Sequence, residues 1–187
     1  MNIKPLFPIP IAVTPNFISS KERLQLIKSI KNVDHSSHDC IIGEGLSTHG
    51  QPSSFLDRNI KKRIQNEVDD YNDITGFAPS DVDNIWSNIQ NAGSRLAEHT
   101  HPHACISGSL YINVGEEGKL FFHNPNPYIV FTDRDRLTPY NFEFQWIDVK
   151  NCELVLFPSW LTHGKYTEVN EMDDRMVVSF NSKRRTK

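Results

Sequence analysis

The sequence predicts an α+β domain in which about two helices pack outside a small β-sandwich or jelly roll. Two patterns carry that expectation. Before residue 80, apolar residues recur at helical spacing. After Asp81 they come in short runs rich in β-branched and aromatic side chains, separated by Gly, Pro, Asn and Asp. A third observation sets the scale: 187 residues, 37% hydrophobic, with 11 Phe, 5 Tyr and 3 Trp. That is enough for one real core and cramped for two domains.

In chain order, the Pro-rich stretch 6–15 reads as an extended entry segment or edge strand, because proline cannot donate to a central ladder. Ser19 or Ser20 then caps a helix carrying Leu24, Ile27 and Ile30, with Glu22 in its first turn. Residues 34–54 are polar and read as loop. Leu56, Ile60, Ile64, Val68 and Tyr71 mark the strongest helix, which ends before Gly76 and Pro79. Strands are expected over 85–89, 106–114, 119–122, 128–132, 142–149, 153–157 and 176–180. Turn signals lie at 91–93, 115–118, 124–127, 150–151 and 170–174. The whole of 1–187 is thus expected to be one domain. Its entry segment and helices fill 1–80, a jelly-roll core 81–181, and a frayed basic tail 182–187.

Charge and cysteine usage narrow the function classes. Lys plus Arg number 20 against 23 Asp plus Glu, a net charge of −3, which argues against a broad nucleic-acid surface. No apolar run approaches the roughly 20 residues of a membrane span. Cys40, Cys105 and Cys152 are unpatterned and odd in number, which suits a reducing, cytoplasmic setting. Histidine is the skewed entry, with 8 in the chain.

Three of these lie close together in Glu98-His99-Thr100-His101-Pro102-His103, just before a strand-like run. Residues i and i+2 of a strand point the same way, so His99 and His101 would project from one face as half of a metal site. Neutral imidazole suits Fe, Zn, Cu or Ni. Surface loops also carry such pairs, so the segment alone is a weak signal. His163 follows the strand 153–157 beside Gly164 and would supply a third ligand, or else pack on Trp160. Arg175 opens the last strand; pointing inward it would need an anion that its planar fork can grip, and pointing outward it would pair with Asp173 or Asp174.

Five segments in order resemble a known family. They are His99-Thr100-His101-Pro102, Ser107-Gly108 with Tyr111, Gly118 with Leu120 and Phe122, Leu154 to His163, and Arg175 to Asn181. Trp86 to Gly93 resembles the approach strand, and Leu6 to Pro10 is a weaker echo. Over about residues 84–181 the chain is similar to the short, prolyl-hydroxylase-like 2-oxoglutarate and Fe(II)-dependent oxygenases. The resemblance implies a double-stranded β-helix and a non-haem dioxygenase hydroxylating a C–H bond of a polypeptide or small-molecule substrate. It implies Fe(II) on His99, His101 and His163, with O2 as cosubstrate. Arg175 and Tyr111 would then hold the distal carboxylate of 2-oxoglutarate. One departure matters: the family's usual facial triad has a carboxylate where His101 stands. Either a three-His site operates or another group steps in, with His103 an alternative ligand and Glu98 a poorer one by strand parity. Trp86, Asn88 and Trp160 are candidates for a substrate mouth. Two other classes are open on the residues alone: a cupin-like three-His metal enzyme that does not use 2-oxoglutarate, and a non-catalytic β-sandwich module. His35, His38 and His49 form either a lid or exposed surface, and His123 either borders the site or packs at the core edge.

Overall fold

The computed structural model describes residues 1–4, 6–115, 118–131 and 133–186. Two helices and ten strands follow local chemistry closely at their ends. Helix α1 (Ser20–Lys31) begins with a capping box. The Glu22 N–H donates to the Ser19 hydroxyl at 3.2 Å, and the Ser19 N–H donates to the Glu22 carboxylate at 2.8 Å. Its buried side chains are Leu26 and Ile30, while Leu24 is 57% exposed. Leu24 sits two residues from Leu26, hence on nearly the opposite face; Leu26 takes the core position expected of it. Helix α2 (Arg58–Thr75) is capped by Asp57 and buries Ile60, Ile64, Val68 and Tyr71. It stops at Gly76, whose φ of 73° is the left-handed C-cap conformation that glycine adopts without a Cβ penalty.

The strands are β1 (Ala12–Thr14), β2 (Ile41–Ile42), β3 (Gly45–Ser47), β4 (Ser80–Gln90), β5 (Arg95–Leu96), β6 (Ile106–Asn113), β7 (Gly118–His123), β8 (Phe144–Val149), β9 (Leu154–Pro158) and β10 (Arg175–Arg184). The main sheet is ordered β1-β9-β6-β10-β4-β3, antiparallel throughout, with the proline-flanked β1 at one edge. A second layer holds the pairs β7-β8 and β2-β5. It is stitched across the middle by backbone pairing of His163 with both His99 and Phe122. The result is the double-stranded β-helix implied by the sequence, with both helices outside it.

Side-chain alternation divides the main sheet into two faces. Ile106, Leu110, Ile112, Leu154, Leu156, Met176, Val178 and Phe180 face the helices in the larger core. The interleaved residues Tyr111, Val155, Phe157 and Val177 face the second layer with Leu120 and Phe122. Burial on both faces explains why β9 reads as an unbroken apolar run. Gly108 is required on the helix side, because a Cβ there would lie 2.2 Å from the Phe180 ring and 2.8 Å from Leu156.

Several sequence expectations are corrected. The polar stretch 34–54 contains β2 and β3, too short to give a periodic signal. The strand expected at 128–132 is a 3₁₀ turn over Pro127–Phe131, with Tyr128 73% exposed; Asn126 accepts the Tyr128 N–H through its side chain and winds the segment into a turn. Thr132, and residues 116 and 117 of the turn expected at 115–118, lie outside the described residues, as does Lys187 of the tail. Strand β8 starts at Phe144, two residues later than expected. The basic tail expected from residue 182 is largely strand: β10 runs to Arg184. Ser182 is fully buried and bonds Ser80 at 2.9 Å, and Arg185 pairs with Asp81 at 2.6 Å.

Candidate metal centre

The second layer carries the imidazoles. His99 and His163 exchange two backbone hydrogen bonds, each 3.0 Å, and the His101 N–H donates to the Ser159 carbonyl at 3.0 Å. This irregular ladder keeps the i, i+2 geometry, so His99 and His101 face the same side and His163 meets them from across. One nitrogen of each of the three rings lies within 4.8 Å of the others. Nε2 of His101 and Nε2 of His163 are 3.2 Å apart. Two nitrogens ligating one ion at about 2.1 Å and a right angle would be about 3.0 Å apart.

Two of the remaining ring nitrogens are already committed. Nδ1 of His99 donates to the Ala97 carbonyl at 2.8 Å, and Nδ1 of His163 to the Leu161 carbonyl at 3.0 Å. These bonds fix the tautomer and aim each Nε2 lone pair at the shared centre. Burial lowers all three pKa values, His101 to about 4 and His163 to about 3, with the neighbouring imidazoles adding to the effect and the backbone acceptors of His99 and His163 opposing it. The rings are therefore neutral ligands at ordinary pH. The donor set fits a divalent first-row ion such as iron, nickel or zinc.

These rings open into a cavity of about 340 Å³ between the two layers. Period-2 alternation delivers its wall: Trp86, Asn88 and Gln90 from β4, Ser107, Ser109 and Tyr111 from β6, and Arg175, Val177 and Ser179 from β10. Arg175 points inward. Its Nη1 donates to Gln90, its cross-strand partner, at 2.7 Å. Neither aspartate nearby takes it: Asp174 pairs with Lys31 at 2.7 Å and Asp173 accepts the Ala92 N–H at 3.0 Å. Desolvation pulls the Arg175 pKa down, while Tyr111 opposes that. Burial raises the Tyr111 phenol to about 12, with Arg175 opposing, so it is a neutral hydrogen-bonding group. Among the described residues, no Asp or Glu lines the cavity. A desolvated guanidinium in such a place calls for an anionic ligand.

The structure thus brings together His99, His101, His163, Arg175, Tyr111, Trp86 and Asn88. It leaves out three others. His103 is exposed in the turn after His101, with a φ of 69°, and is no alternative ligand. Pro102 ends regular pairing there and turns the chain away. Glu98 is exposed on the opposite parity. Trp160 is 54% exposed in the turn after β9 and lies outside the cavity lining, because that turn carries it past the layer edge.

Sequence reasoning underrated two residues. His38 and His49, from the polar stretch before α2, line the cavity. His49 packs edge-on against Trp86 at 4.8 Å, and Trp86 lies 5.7 Å from His101. The polar stretch therefore forms the outer wall of the site, through β2 pairing with β5 and β3 pairing with β4. The only signal for this was an excess of histidine in a segment without periodicity. His35 is spent on Val33 and Ser87, and His123 packs edge-on on Phe144.

Comparisons with known proteins agree with this geometry. A family model described as "Putative 2OG-Fe(II) oxygenase" matches residues 84–181. No curated protein sequence matches the chain. Among solved structures, HygX from Streptomyces hygroscopicus with nickel and 2-oxoglutarate bound is similar with a TM-score of 0.65 at 11% identity, over 94% of this chain and 83% of that one. A 2OG-Fe(II) oxygenase family oxidoreductase from Burkholderia pseudomallei gives 0.66 at 8% identity, over 94% and 86%. A Pseudomonas putida prolyl-4-hydroxylase gives 0.63 at 13% identity, over 95% and 94%. At such identities the likeness is one of fold.

Proposed function

The chain belongs to the 2OG-Fe(II) oxygenase family, and from that premise we propose that His99, His101 and His163 hold its Fe(II), and that Arg175 and Tyr111 hold the distal carboxylate of 2-oxoglutarate. When bound, the metal and cosubstrate supply oxidation by O2, in which 2-oxoglutarate leaves as succinate and CO2 and a substrate C–H becomes C–OH. The observation that carries the assignment is the sharing of one cavity by three convergent, neutral imidazoles and a buried guanidinium.

Each residue has a physical task. The backbone bonds of His99 and His163 hold two lone pairs in place before any ligand arrives, so little ordering cost is left for binding. Gln90 fixes one arm of Arg175 and leaves the rest of the fork for a carboxylate. Tyr111 stays protonated and donates to that same group. Trp86, Asn88, His38 and His49 form the wall through which a peptide or small-molecule substrate reaches the metal. With three neutral ligands the metal keeps its full +2 charge, and this strengthens its attraction for the anionic cosubstrate relative to a site with one carboxylate. A non-catalytic sandwich gives Arg175 no anion to meet, and a 2-oxoglutarate-independent cupin site would use it for another anionic substrate.

The test separates the two roles. Full-length protein loaded with Fe(II) should release succinate from 2-oxoglutarate, and Ni(II)-loaded protein should bind 2-oxoglutarate in a calorimetric titration. Arg175→Ala should keep its Ni(II) affinity and weaken 2-oxoglutarate binding by about 30- to 100-fold, the worth of a buried charge-assisted pair. Unchanged 2-oxoglutarate binding in that variant would sink the assignment of Arg175. Ni(II) affinity retained in His163→Ala would sink that of the triad.

A further inference from the structure

A second, smaller cavity of about 90 Å³ meets the first at Arg175, which lines both together with Gln90, Leu96 and Leu120. Among the described residues its wall carries the cations Arg95, Lys119, Lys165 and Arg175 and one acid, Glu168. We propose that this cavity is a second anion site, taking a single phosphate or carboxylate group. It requires neither the metal nor 2-oxoglutarate.

Three observations carry the proposal. The Arg95 Nε–H is buried and has no acceptor among the described residues. Burying a donor of a charged group without a partner costs about 1–3 kcal/mol or more, so the position is built for an acceptor. The Arg95 guanidinium carbon lies 5.8 Å from the centre of the Tyr166 ring, a contact that orients it without neutralising it.

Lys165 is held in the same way. Its ammonium lies 4.8 Å from the Phe121 ring centre and 5.6 Å from that of Phe144. Glu168, nearly half-exposed at 44%, reaches it only at 3.7 Å, the loose geometry of a surface pair. Aromatic faces thus position two cations, and among the described residues the loose Glu168 contact is the one ion pair either makes.

Arg175 is the third element. Gln90 occupies only one of its donors, and Gln90 is neutral. Four cations around a small cavity repel one another, and an oxyanion among them turns that repulsion into attraction. The small volume, about 90 Å³, suits a compact group such as one phosphate or carboxylate. Because Arg175 faces both cavities, an anion here competes with the cosubstrate carboxylate for the same guanidinium field, and the two bindings weaken each other reciprocally.

The test uses the full chain without metal or 2-oxoglutarate, titrated calorimetrically with inorganic phosphate and separately with acetate, chloride holding ionic strength constant. Saturable binding of at least one probe is expected, and the stronger of the two identifies the preferred class. Arg95→Gln should weaken that binding about tenfold, the value of one charge-assisted bond, and Lys165→Gln about three- to tenfold. A cooperative thermal melt verifies each fold, and Lys165→Gln decides if Arg95→Gln does not fold. Absence of saturable binding of either probe overturns the proposal. So does binding unchanged in the folded variants, which would place the anion in the main cavity.

Discussion

Replacing Gly164 by alanine should loosen the metal centre without touching a ligand. Gly164 follows His163 directly, has a φ of 89°, and lies against the segment that carries His99. A Cβ there would sit 2.6 Å from the Ala97 carbonyl oxygen and 3.1 Å from that of Leu96. An unstrained carbon–oxygen approach is about 3.3 Å, so the two segments must part by about 0.7 Å. The Ala97 carbonyl is also the acceptor that fixes Nδ1 of His99. The shift therefore displaces one ligand relative to another by several times the roughly 0.2 Å that a metal site tolerates. Metal affinity should fall about 10- to 100-fold, as when an orienting partner is lost. The left-handed backbone and the clash together should cost about 2–4 kcal/mol. Calorimetric Ni(II) titration of metal-stripped protein, with thermal melts, reads both effects. Gly76→Ala is the control, since Gly76 has a φ of 73° with nothing within 4 Å of a Cβ; it should lower stability and leave Ni(II) affinity alone. Wild-type affinity in Gly164→Ala, or an equal loss in Gly76→Ala, would refute the reasoning.

Three further outcomes are expected. His101→Ala should lower Ni(II) affinity at least about 100-fold, whereas His103→Ala, altering an exposed turn, should stay within about twofold; equal losses in a calorimetric titration would contradict the placement. Gly108→Ala puts a methyl group 2.2 Å from Phe180 in the helix-side core and should cost about 1–3 kcal/mol, or roughly 2–12 °C in Tm. An unchanged melt would mean that the core there is loosely packed. Chelating the metal from protein loaded at about 100 times Kd should remove about 2.7 kcal/mol and lower Tm by roughly 5–11 °C; coincident melts would show that the ion does not bind the native fold.

The legible parts of this protein are those set by near neighbours. Helix α2 was readable because Ile60, Ile64, Val68 and Tyr71 repeat on one face and Gly76 ends it. Strands β6, β9 and β10 were readable because their alternating or continuous apolar runs match two buried faces. Local pattern misled where burial was not decided locally. Tyr128 to Phe131 has strand-like composition but forms a 3₁₀ turn with Tyr128 and Phe131 exposed, because the Asn126 side chain and the neighbouring prolines dictate the backbone. Ser182 to Arg184 looks like a tail, yet Ser182 is held by Ser80 from a strand more than a hundred residues away. His38 and His49 gave only a weak sign of their place, an excess of histidine that allowed a lid or exposed surface equally, since β2 and β3 exist only by pairing with β5 and β4.

The sequence by itself determined the caps, the periods, and the parity that sends His99 and His101 to one side and puts Arg175 on one face with Val177 and Ser179. These depend on bond geometry within a few residues. That the Arg175 face points inward was decided by the tertiary structure. Tertiary structure decided which of the eight histidines meet and which groups stay away. His101 and His163 are 62 positions apart and touch only because the second layer pairs His163 with both His99 and Phe122. The missing carboxylate is decided in the same place. Glu98, next to His99 along the chain, faces solvent while distant imidazoles turn inward, because pairing across the barrel, and not proximity along the chain, sets what enters the cavity.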